Sequence, residues 1–300
     1  MASLLGNKDM KGVITAMVTP FNVKGAIDKK AIKEMVSFLK TRVHGLFVNG
    51  TYGSGPLMSY EERKQVLEWV MEEAAGHIQV CVNISSTTNK MSLELGKHAA
   101  EVNASSVITL APYYYKHDTN IVEDYLNELV STIGIPVFFY NNPAVVPFNA
   151  TSNFLFKLAK KGLKGIKDSS FNILNFYDYL NIFEGTDFKC MIGTDALLLP
   201  SIIMGAWGCI SAISNYLPNI VIELWEETVK GNIEKAAILQ KKILKIRDIF
   251  KKSPTIPLIQ KALYEIDINA GHPRAPFRDT PEEIWSDTKY QLGKLGVTFR

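Results

Sequence analysis

The amino-acid sequence predicts an α/β fold, specifically a (β/α)8 TIM barrel with a C-terminal helical appendage. Eight short apolar runs rich in Val and Ile alternate with amphipathic segments. Continuous apolar strands separated by helices indicate parallel strands that are buried on both faces. Eight such units within roughly 215 residues fit a closed barrel. With 300 residues, 47% of them hydrophobic, the chain can bury a core of this size.

The predicted elements follow one another in a regular order. The strands are expected over residues 13–19, 45–49, 78–84, 106–110, 136–140, 163–167, 188–192 and 208–212. Helices are expected between them, over 29–41, 59–75, 90–102, 121–131, 151–160, 173–183 and 197–204. The second of these helices has a clear start, because Ser59 and Glu62 have the spacing of a capping box.

The pattern changes to helix only after residue 219, with helices expected over 220–230, 233–250, 257–265 and 282–292. We therefore assign residues 10–230 to a catalytic barrel and residues 231–300 to a C-terminal helical domain. An open doubly wound sheet is the alternative architecture. It is disfavoured because no Gly-x-Gly-x-x-Gly motif opens a helix after the first strand.

Composition and charge exclude several classes of protein. The 33 basic and 30 acidic residues are too evenly balanced to indicate nucleic acid or an anionic membrane as a partner. No stretch approaches the roughly 20 apolar residues of a membrane helix, and the N-terminus has no signal-peptide pattern. The three cysteines form no CxxC pair, and the five histidines show no metal-ligand spacing. We expect a cytoplasmic protein without a metal or cofactor.

Two residues at the ends of neighbouring strands suggest chemistry, because the carboxyl ends of barrel strands carry the active site. Lys167 closes the sixth strand, and at the barrel mouth desolvation would favour its neutral amine, a nucleophile that forms a Schiff base with a ketone. Tyr140 closes the fifth strand, and its phenol could move the protons that these steps need. The alternatives are a surface lysine and a structural core tyrosine.

The loop after the second strand, residues 50–55, reads Gly-Thr-Tyr-Gly-Ser-Gly. Such a loop exposes backbone N–H groups, which usually face an anion. It lacks the Lys-Ser/Thr ending of a phosphate-binding P-loop.

Several motifs together resemble the N-acetylneuraminate lyase and dihydrodipicolinate synthase family of class I, Schiff-base aldolases. In order, they are Thr19-Pro20-Phe21, Gly50-Thr51-x-Gly53, Pro112-Tyr113-Tyr114, Tyr140-Asn141-x-Pro143, Gly165-x-Lys167-Asp168-Ser169 and the stretch from Gly208 to Asn215. The resemblance implies a (β/α)8 barrel with a C-terminal helical domain, commonly a homotetramer built as a dimer of dimers. It also implies pyruvate and a small aldehyde, or a keto sugar acid, as partners.

The resemblance further implies roles for individual residues. Lys167 would form the imine with pyruvate or the keto acid, and Tyr140 would be the acid–base phenol. Thr51 would link Tyr140 to Tyr114, which in such enzymes reaches in from a neighbouring subunit. The backbone N–H groups of Tyr52 and Gly53 would hold the carboxylate of the keto acid, which identifies the anion at the glycine-rich loop.

Further substrate contacts are expected at the mouth of the barrel, from Ser54, Asn142, Gly193, Ala212 and Ser214. Hydroxyl and amide groups there could hydrogen-bond a chain of substrate hydroxyls, as could Thr51, Thr194 and Asp195. The alternative for each polar residue is ordinary loop capping, and Thr194-Asp195 could be the N-cap of the following helix.

Departures from the family pattern bear on the substrate. Ser54-Gly55-Pro56 replaces the usual Glu, and Tyr52 replaces a second Thr whose hydroxyl helps to bind the carboxylate. No Arg follows Tyr-Asn-x-Pro, so residues 144–148 lack the fork that binds a second carboxylate. Other stretches are similar to archaeal 2-keto-3-deoxygluconate aldolases and predict reversible cleavage to pyruvate and glyceraldehyde. They are Gly53-Ser54-Gly55-Pro56, Pro112-Tyr113-Tyr114-Tyr115, Gly208-Cys209, Ser214-Asn215-Tyr216-Leu217-Pro218 and His272-Pro273-Arg274. The alternatives are dihydrodipicolinate synthase, N-acetylneuraminate lyase and a non-catalytic keto-acid-binding barrel.

Overall fold

The computed structural model describes residues 10–299, and within them eight parallel strands close into one barrel in sequence order. The strands are β1 (Gly12–Ala16), β2 (Gly45–Val48), β3 (Gln79–Asn83), β4 (Ser106–Thr109), β5 (Val137–Asn141), β6 (Gly165–Asp168), β7 (Lys189–Ile192) and β8 (Gly208–Ser211). β8 pairs with β1 and closes the barrel. The predicted fold class is confirmed. The expectations for the extreme N-terminus, residues 1–9, lie outside the described residues.

Eight helices alternate with these strands and surround the barrel. They are α1 (Lys29–Leu39), α2 (Tyr60–Ala74), α3 (Asn89–Glu101), α4 (Thr119–Thr132), α5 (Ser152–Lys160), α6 (Ile173–Ile182), α7 (Leu198–Ile203) and α8 (Pro218–Val229). The capping box at α2 is present, because Glu62 N donates to Ser59 Oγ (3.2 Å) and Ser59 N donates to Glu62 Oε2 (2.8 Å). The apolar face of α1 is buried as its spacing predicts.

The first strand is shorter than predicted, because it ends at Ala16 and not at residue 19. Beyond it, Val18 N donates to the side-chain oxygen Oδ1 of Asn215 (3.1 Å) and not to a neighbouring strand. Thr19 then donates from its hydroxyl to the carbonyl oxygen of Gly53 (2.7 Å). Hydrogen bonds that involve side chains thus replace the strand-to-strand hydrogen bonds where β1 reaches the carboxyl end of the barrel.

Three further helices follow the barrel: α9 (Ile233–Phe250), α10 (Thr255–Tyr264) and α11 (Glu282–Lys294). Gln240 on α9 bonds to the backbone of the loop after β7, since it donates to Asp195 O (3.0 Å) and accepts from Leu199 N (2.9 Å). This contact brings α9 to the carboxyl ends of the barrel strands. The division at residue 230 into two domains stays a prediction. None of the helices in residues 10–299 is long and apolar enough to cross a membrane.

Candidate active site

Lys167 and Tyr140 lie side by side inside the barrel, because they are register partners on the adjacent strands β6 and β5. Lys167 is 4% exposed and Tyr140 is 3% exposed. The Nζ atom of Lys167 lies 3.6 Å from the ring centroid of Tyr140 and 4.6 Å from that of Phe47. Lys167 is therefore no surface lysine, and its amine and the phenol share one site.

The hydroxyl of Tyr140 is surrounded by polar groups. It lies 3.4 Å from Thr51 Oγ1 and accepts a hydrogen bond from Asn142 Nδ2 (3.1 Å). Burial raises the pKa of Tyr140, but the charge of Lys167 and hydrogen bonds from Lys167, Thr51 and Ser169 outweigh it and lower the pKa to about 8. The lowered pKa favours ionisation of the phenol, which can then take a proton.

A cavity of about 110 Å³ opens above this pair at the carboxyl ends of the strands. Seven residues that the sequence suggests for the site line it, namely Lys167, Tyr140, Tyr52, Gly193, Thr194, Asp195 and Ala212. Other lining residues are Ala16, Phe171, Ile210, Ile213, Tyr216, Arg247, Phe250, Lys251, Thr255 and Ile259. The cavity is thus closed on one side by residues from α9 and α10.

The first part of the glycine-rich loop has free backbone donors. In the part of the chain that the structure describes, the N–H groups of residues 50–53, which include Tyr52 and Gly53, donate to no protein acceptor, whereas Ser54 N donates to Thr51 O (3.2 Å). Gly55 N donates to Gly50 O (3.1 Å) in the same way. Two adjacent free N–H groups on a loop at the cavity form a site for an anion such as a carboxylate.

The phenol of Tyr52 projects into the cavity. Burial is the main cause that raises the pKa of Tyr52 to about 12, helped by the negative charges of Asp195 and Tyr140 and opposed by Arg247. The hydroxyl therefore remains protonated at neutral pH and can donate a hydrogen bond. Tyr52 thus presents to the cavity a larger hydrogen-bonding side chain than a threonine would.

Sequence comparison assigns the chain to a family. A model of the dihydrodipicolinate synthetase family matches residues 9–294. The chain belongs to this family. A 4-hydroxy-tetrahydrodipicolinate synthase of Archaeoglobus fulgidus is 30% identical over 287 residues, which cover 95% of this chain and 98% of that protein. An uncharacterized DapA-like lyase of Halobacterium salinarum is 27% identical over 290 residues, covering 96% of this chain and 95% of that protein.

Solved structures of the dihydrodipicolinate synthetase family share the fold. The dihydrodipicolinate synthase DapA-2 of Bacillus anthracis superposes with a TM-score of 0.91 at 25% identity, covering 97% of this chain and 99% of that one. A prophage protein of this family from E. coli K12, YagE, solved in complex with pyruvate, gives a TM-score of 0.92 at 24% identity, covering 96% and 99%. The second likeness concerns the fold alone.

Six of the residues predicted from the family pattern lie outside the cavity lining: Thr51, Gly53, Ser54, Tyr114, Asn142 and Ser214. Thr51 and Asn142 contact the Tyr140 hydroxyl, so they border the site through that phenol. Ser54 is buried, with a left-handed backbone at φ 54°. Ser214 is fully buried, its hydroxyl lies 2.8 Å from Thr15 Oγ1, and it also donates to Ser211 O (3.1 Å). Ser214 therefore has no open surface for substrate hydroxyls in this structure.

Tyr114 does not reach the cavity of its own chain. It is 83% exposed and packs edge-on against Tyr115, with 5.0 Å between the ring centroids. An exposed pair of aromatic rings fits a role at a subunit contact, and that role stays a prediction.

The sequence reasoning missed Arg247 and Lys251 on the C-terminal side, because it considered only the strand ends. Their spacing of four residues places them on one face of a helix, which was the available signal. Asp195, weighed as a cap or a hydroxyl contact, lies against β8 and accepts from Ser211 Oγ (2.5 Å) and Ala212 N (3.1 Å). Thr194 caps the short turn Asp195–Leu197. Among residues 10–299, no cluster of three or more His, Cys, Asp or Glu could hold a metal ion.

Proposed function

We propose that this protein is a class I aldolase, which uses an imine on Lys167 to cleave 2-keto-3-deoxygluconate and similar sugar acids reversibly to pyruvate and glyceraldehyde. The observation that carries the proposal is the buried amine of Lys167 against the phenol of Tyr140 at the mouth of the barrel. A buried amine, and beside it a phenol whose own pKa is lowered, are the two groups that imine formation needs.

The proposed reaction begins when the Tyr140 phenolate takes a proton from Lys167. The free amine then attacks C2 of pyruvate, and the phenol returns the proton to the carbonyl oxygen. The phenolate then takes a proton from the nitrogen and passes it to the hydroxyl at C2, and loss of water leaves the protonated imine. The phenolate takes a proton from C3, which gives the enamine. The enamine carbon attacks the aldehyde while the phenol protonates the aldehyde oxygen, and water hydrolyses the imine, which releases the keto acid and the amine of Lys167. Cleavage of the keto acid is the reverse sequence.

The free N–H groups of Tyr52 and Gly53 would bind the carboxylate of pyruvate during these steps. This site holds the keto acid through the backbone, so it does not depend on the hydroxyl of a second threonine. Gly53 is needed here because a Cβ atom would lie 3.0 Å from Asn49 N and 3.1 Å from Met17 O. A side chain at this position would push the loop out of place.

The acceptor aldehyde would lie toward Tyr52 and Arg247, which line the rest of the cavity. These side chains offer a phenol and a guanidinium to the oxygen atoms of a short polar aldehyde. Residues 144–148 contain no Arg after the Tyr-Asn-x-Pro motif, which disfavours an acceptor bound at that point through a second carboxylate.

Dihydrodipicolinate synthesis, with aspartate semialdehyde as acceptor, is the second candidate. It is favoured by the Archaeoglobus fulgidus relative, which is named a 4-hydroxy-tetrahydrodipicolinate synthase. Arg247 also supports it, because α9 supplies a guanidinium to the cavity that could hold the second carboxylate in place of the missing Arg.

Two experiments test these proposals. Incubation with pyruvate and borohydride, followed by intact mass measurement, should add one reduced pyruvate to the wild type and nothing to Lys167→Ala. An unmodified wild type, under conditions that label a control aldolase, contradicts the Schiff-base proposal. Turnover of pyruvate with glyceraldehyde, aspartate semialdehyde and N-acetylmannosamine then separates the sugar-acid aldolase from the synthase and the neuraminate lyase. A wild type that binds pyruvate without turnover, and a Lys167→Ala variant with equal affinity, would indicate a binding protein.

We also propose a homotetramer in which Tyr114 meets a neighbouring subunit. The exposed rings of Tyr114 and Tyr115 support this assembly. Mass photometry of the wild type and of Tyr114→Ala tests it, with a smaller species expected for the variant and a monomeric wild type contradicting it.

A further inference from the structure

Phe171 combines three features that are unusual together. Its backbone is left-handed, with φ at 60°, a conformation that is an outlier for a bulky residue. Its side chain is 55% exposed, and it lines the catalytic cavity. Strained backbone at an active site is retained where the strain has a function. The question is what the ring of Phe171 does there.

The loop that carries Phe171, between β6 and α6, is held on both sides of it. Ser170 donates from Oγ to Asp168 Oδ2 (2.8 Å), and Asn172 N donates to Ser170 Oγ (3.2 Å). Asn172 then caps α6 by accepting from Leu174 N (3.1 Å). Phe171 therefore cannot leave the left-handed region without breaking these bonds, and its ring is aimed by the loop.

The ring of Phe171 contacts Arg247 across the cavity entrance. The guanidinium carbon of Arg247 lies 5.3 Å from the ring centroid, within the range of a cation–π contact. Between residues 10 and 299 the Arg247 guanidinium takes part in no hydrogen bond and no ion pair, and the ring of Phe171 lies against it. Arg247 also lines the cavity, with its donors free for a ligand.

We propose that Phe171 is a positioning residue, which holds the Arg247 guanidinium over the cavity so that it binds the distal oxygen atoms of the aldehyde acceptor. The inference rests on the proposed function, since it concerns the acceptor of that reaction. A long arginine side chain loses rotamer freedom when it binds, and a stacked ring reduces this loss beforehand. Phe171 therefore sets acceptor affinity without touching the imine.

Variants of Phe171 should change acceptor affinity alone. In Phe171→Ala the KM for the most active of the three acceptors should rise by about 3- to 30-fold, the range of one cation–π contact. kcat and the KM for pyruvate should change little. The KM for propionaldehyde, which has no distal oxygen, should also be unchanged. Phe171→Trp, which keeps an aromatic face, should restore the acceptor KM.

A double-mutant comparison tests whether Phe171 acts through Arg247. Arg247→Ala should raise the acceptor KM, and adding Phe171→Ala should raise it no further.

Phe171→Gly should lose the same affinity as Phe171→Ala yet melt at a higher temperature, because glycine accepts the left-handed backbone. Ala75→Gly is the matched control, since Ala75 is left-handed at φ 45° in the αL cap of α2 and should alter stability without altering KM.

The outcomes separate the inference from the proposed function. An unchanged acceptor KM in Phe171→Ala and Phe171→Gly, or effects of Phe171 and Arg247 that simply add, overturns the role of Phe171 while pyruvate trapping on Lys167 continues. A wild type that pyruvate and borohydride do not label overturns the aldolase itself, and the inference with it. If Phe171→Ala fails to fold, Phe171→Gly gives the same removal of the ring.

Discussion

Gly193 lies so close to Lys167 that a Cβ atom built on it would be 3.0 Å from Cε of the lysine. The same atom would lie 2.9 Å from the carbonyl oxygen of Asp168 and would overlap the hydroxyl of Ser169. Because a backbone oxygen cannot move aside as a flexible side chain can, glycine at this position preserves the space in which the lysine moves.

Gly193→Ala should therefore slow trapping of pyruvate by borohydride. We expect the trapping rate to fall by about 10- to 100-fold, because a reacting group that is displaced by up to about 1 Å reacts more slowly by this much. The free energy of unfolding should fall by about 1–3 kcal/mol through overpacking. Intact mass measurement gives the initial rate of pyruvate trapping, and thermal melts give the change in stability. Gly293→Ala is the control, since no atom lies within 4 Å of a Cβ there, and it should leave the trapping rate unchanged.

Tyr140→Phe should keep the ring against Lys167 but remove the hydroxyl. We expect kcat to fall by about 10²- to 10⁴-fold, which is typical when an acid–base group is lost. The pKa of Tyr140 is about 8, so the wild-type trapping rate should rise as the pH increases through that value and the phenolate forms. The variant should lack this rise. A variant that keeps the same pH dependence would assign it to another group.

Tyr52→Phe should leave the KM for pyruvate within about twofold, because the carboxylate is assigned to backbone N–H groups, whose strength does not depend on the side chain. Gly53→Ala, which crowds Asn49 N and Met17 O, should raise that KM by about tenfold or more. Steady-state kinetics with varied pyruvate compares the two. A large rise of KM in Tyr52→Phe would instead assign the carboxylate to the phenol.

The strand framework was predictable because the strands are short, mainly apolar runs that are buried except at the first residues of β3 and β7. All four residues of β6 are buried, including Lys167, so a lysine near the end of such a run was a clear exception to its surroundings. The neighbouring position of Tyr140 followed from strand order alone. To predict that Lys167 and Tyr140 lie together, only the barrel topology was needed, and the sequence pattern predicts that topology.

Other parts of the site depend on contacts between distant segments. Arg247 reaches the cavity because Gln240, two turns earlier on α9, bonds to the loop after β7. Ser214 turns away from the cavity because the short turn Ile213–Asn215 points its hydroxyl at Thr15. The left-handed backbone of Phe171 comes from side-chain bonds on both sides of it. Local sequence patterns contain none of these contacts.

Arg274 should contribute strongly to stability, because it joins the C-terminal segment to the barrel. It donates to the Glu62 carboxylate (2.7 Å from Nη1) and to the carbonyl oxygens of Gly25 (2.9 Å) and Leu57 (3.1 Å). Arg274→Ala takes the donor from both carbonyl oxygens and leaves the Glu62 carboxylate with its bond from Ser59 N, and we expect a loss of about 2–4 kcal/mol in the free energy of unfolding. Urea unfolding measures it. Lys230→Ala, which breaks an exposed pair with Glu226, should cost under about 1 kcal/mol.

The free energy of unfolding that is lost in Arg274→Ala should depend on pH. The hydrogen bond from Arg274 is the main cause that lowers the pKa of Glu62 below its usual 4.5. A carboxylate whose pKa is lower in the folded state stabilises the fold above its unfolded pKa, and this contribution disappears as the pH falls through the folded value. The difference in stability between wild type and Arg274→Ala should therefore be constant above pH 5 and shrink below 4.5. A difference that stays constant to pH 3 would indicate that the backbone contacts dominate.

His44 should make the amino-terminal end of the barrel sensitive to acid. Val13 N donates to His44 Nδ1 (3.1 Å), so this nitrogen carries no proton in the folded protein. Burial lowers the pKa of His44 below 6.5, opposed by the charge of Glu226. The unfolded chain therefore binds a proton more readily, and stability should be lost as the pH falls below 6.5 toward the folded value. His44→Asn offers an oxygen that can accept from Val13 N but does not titrate. Its melting temperature should fall less than that of the wild type between pH 7 and pH 5, and equal slopes would show that other groups cause the wild-type loss.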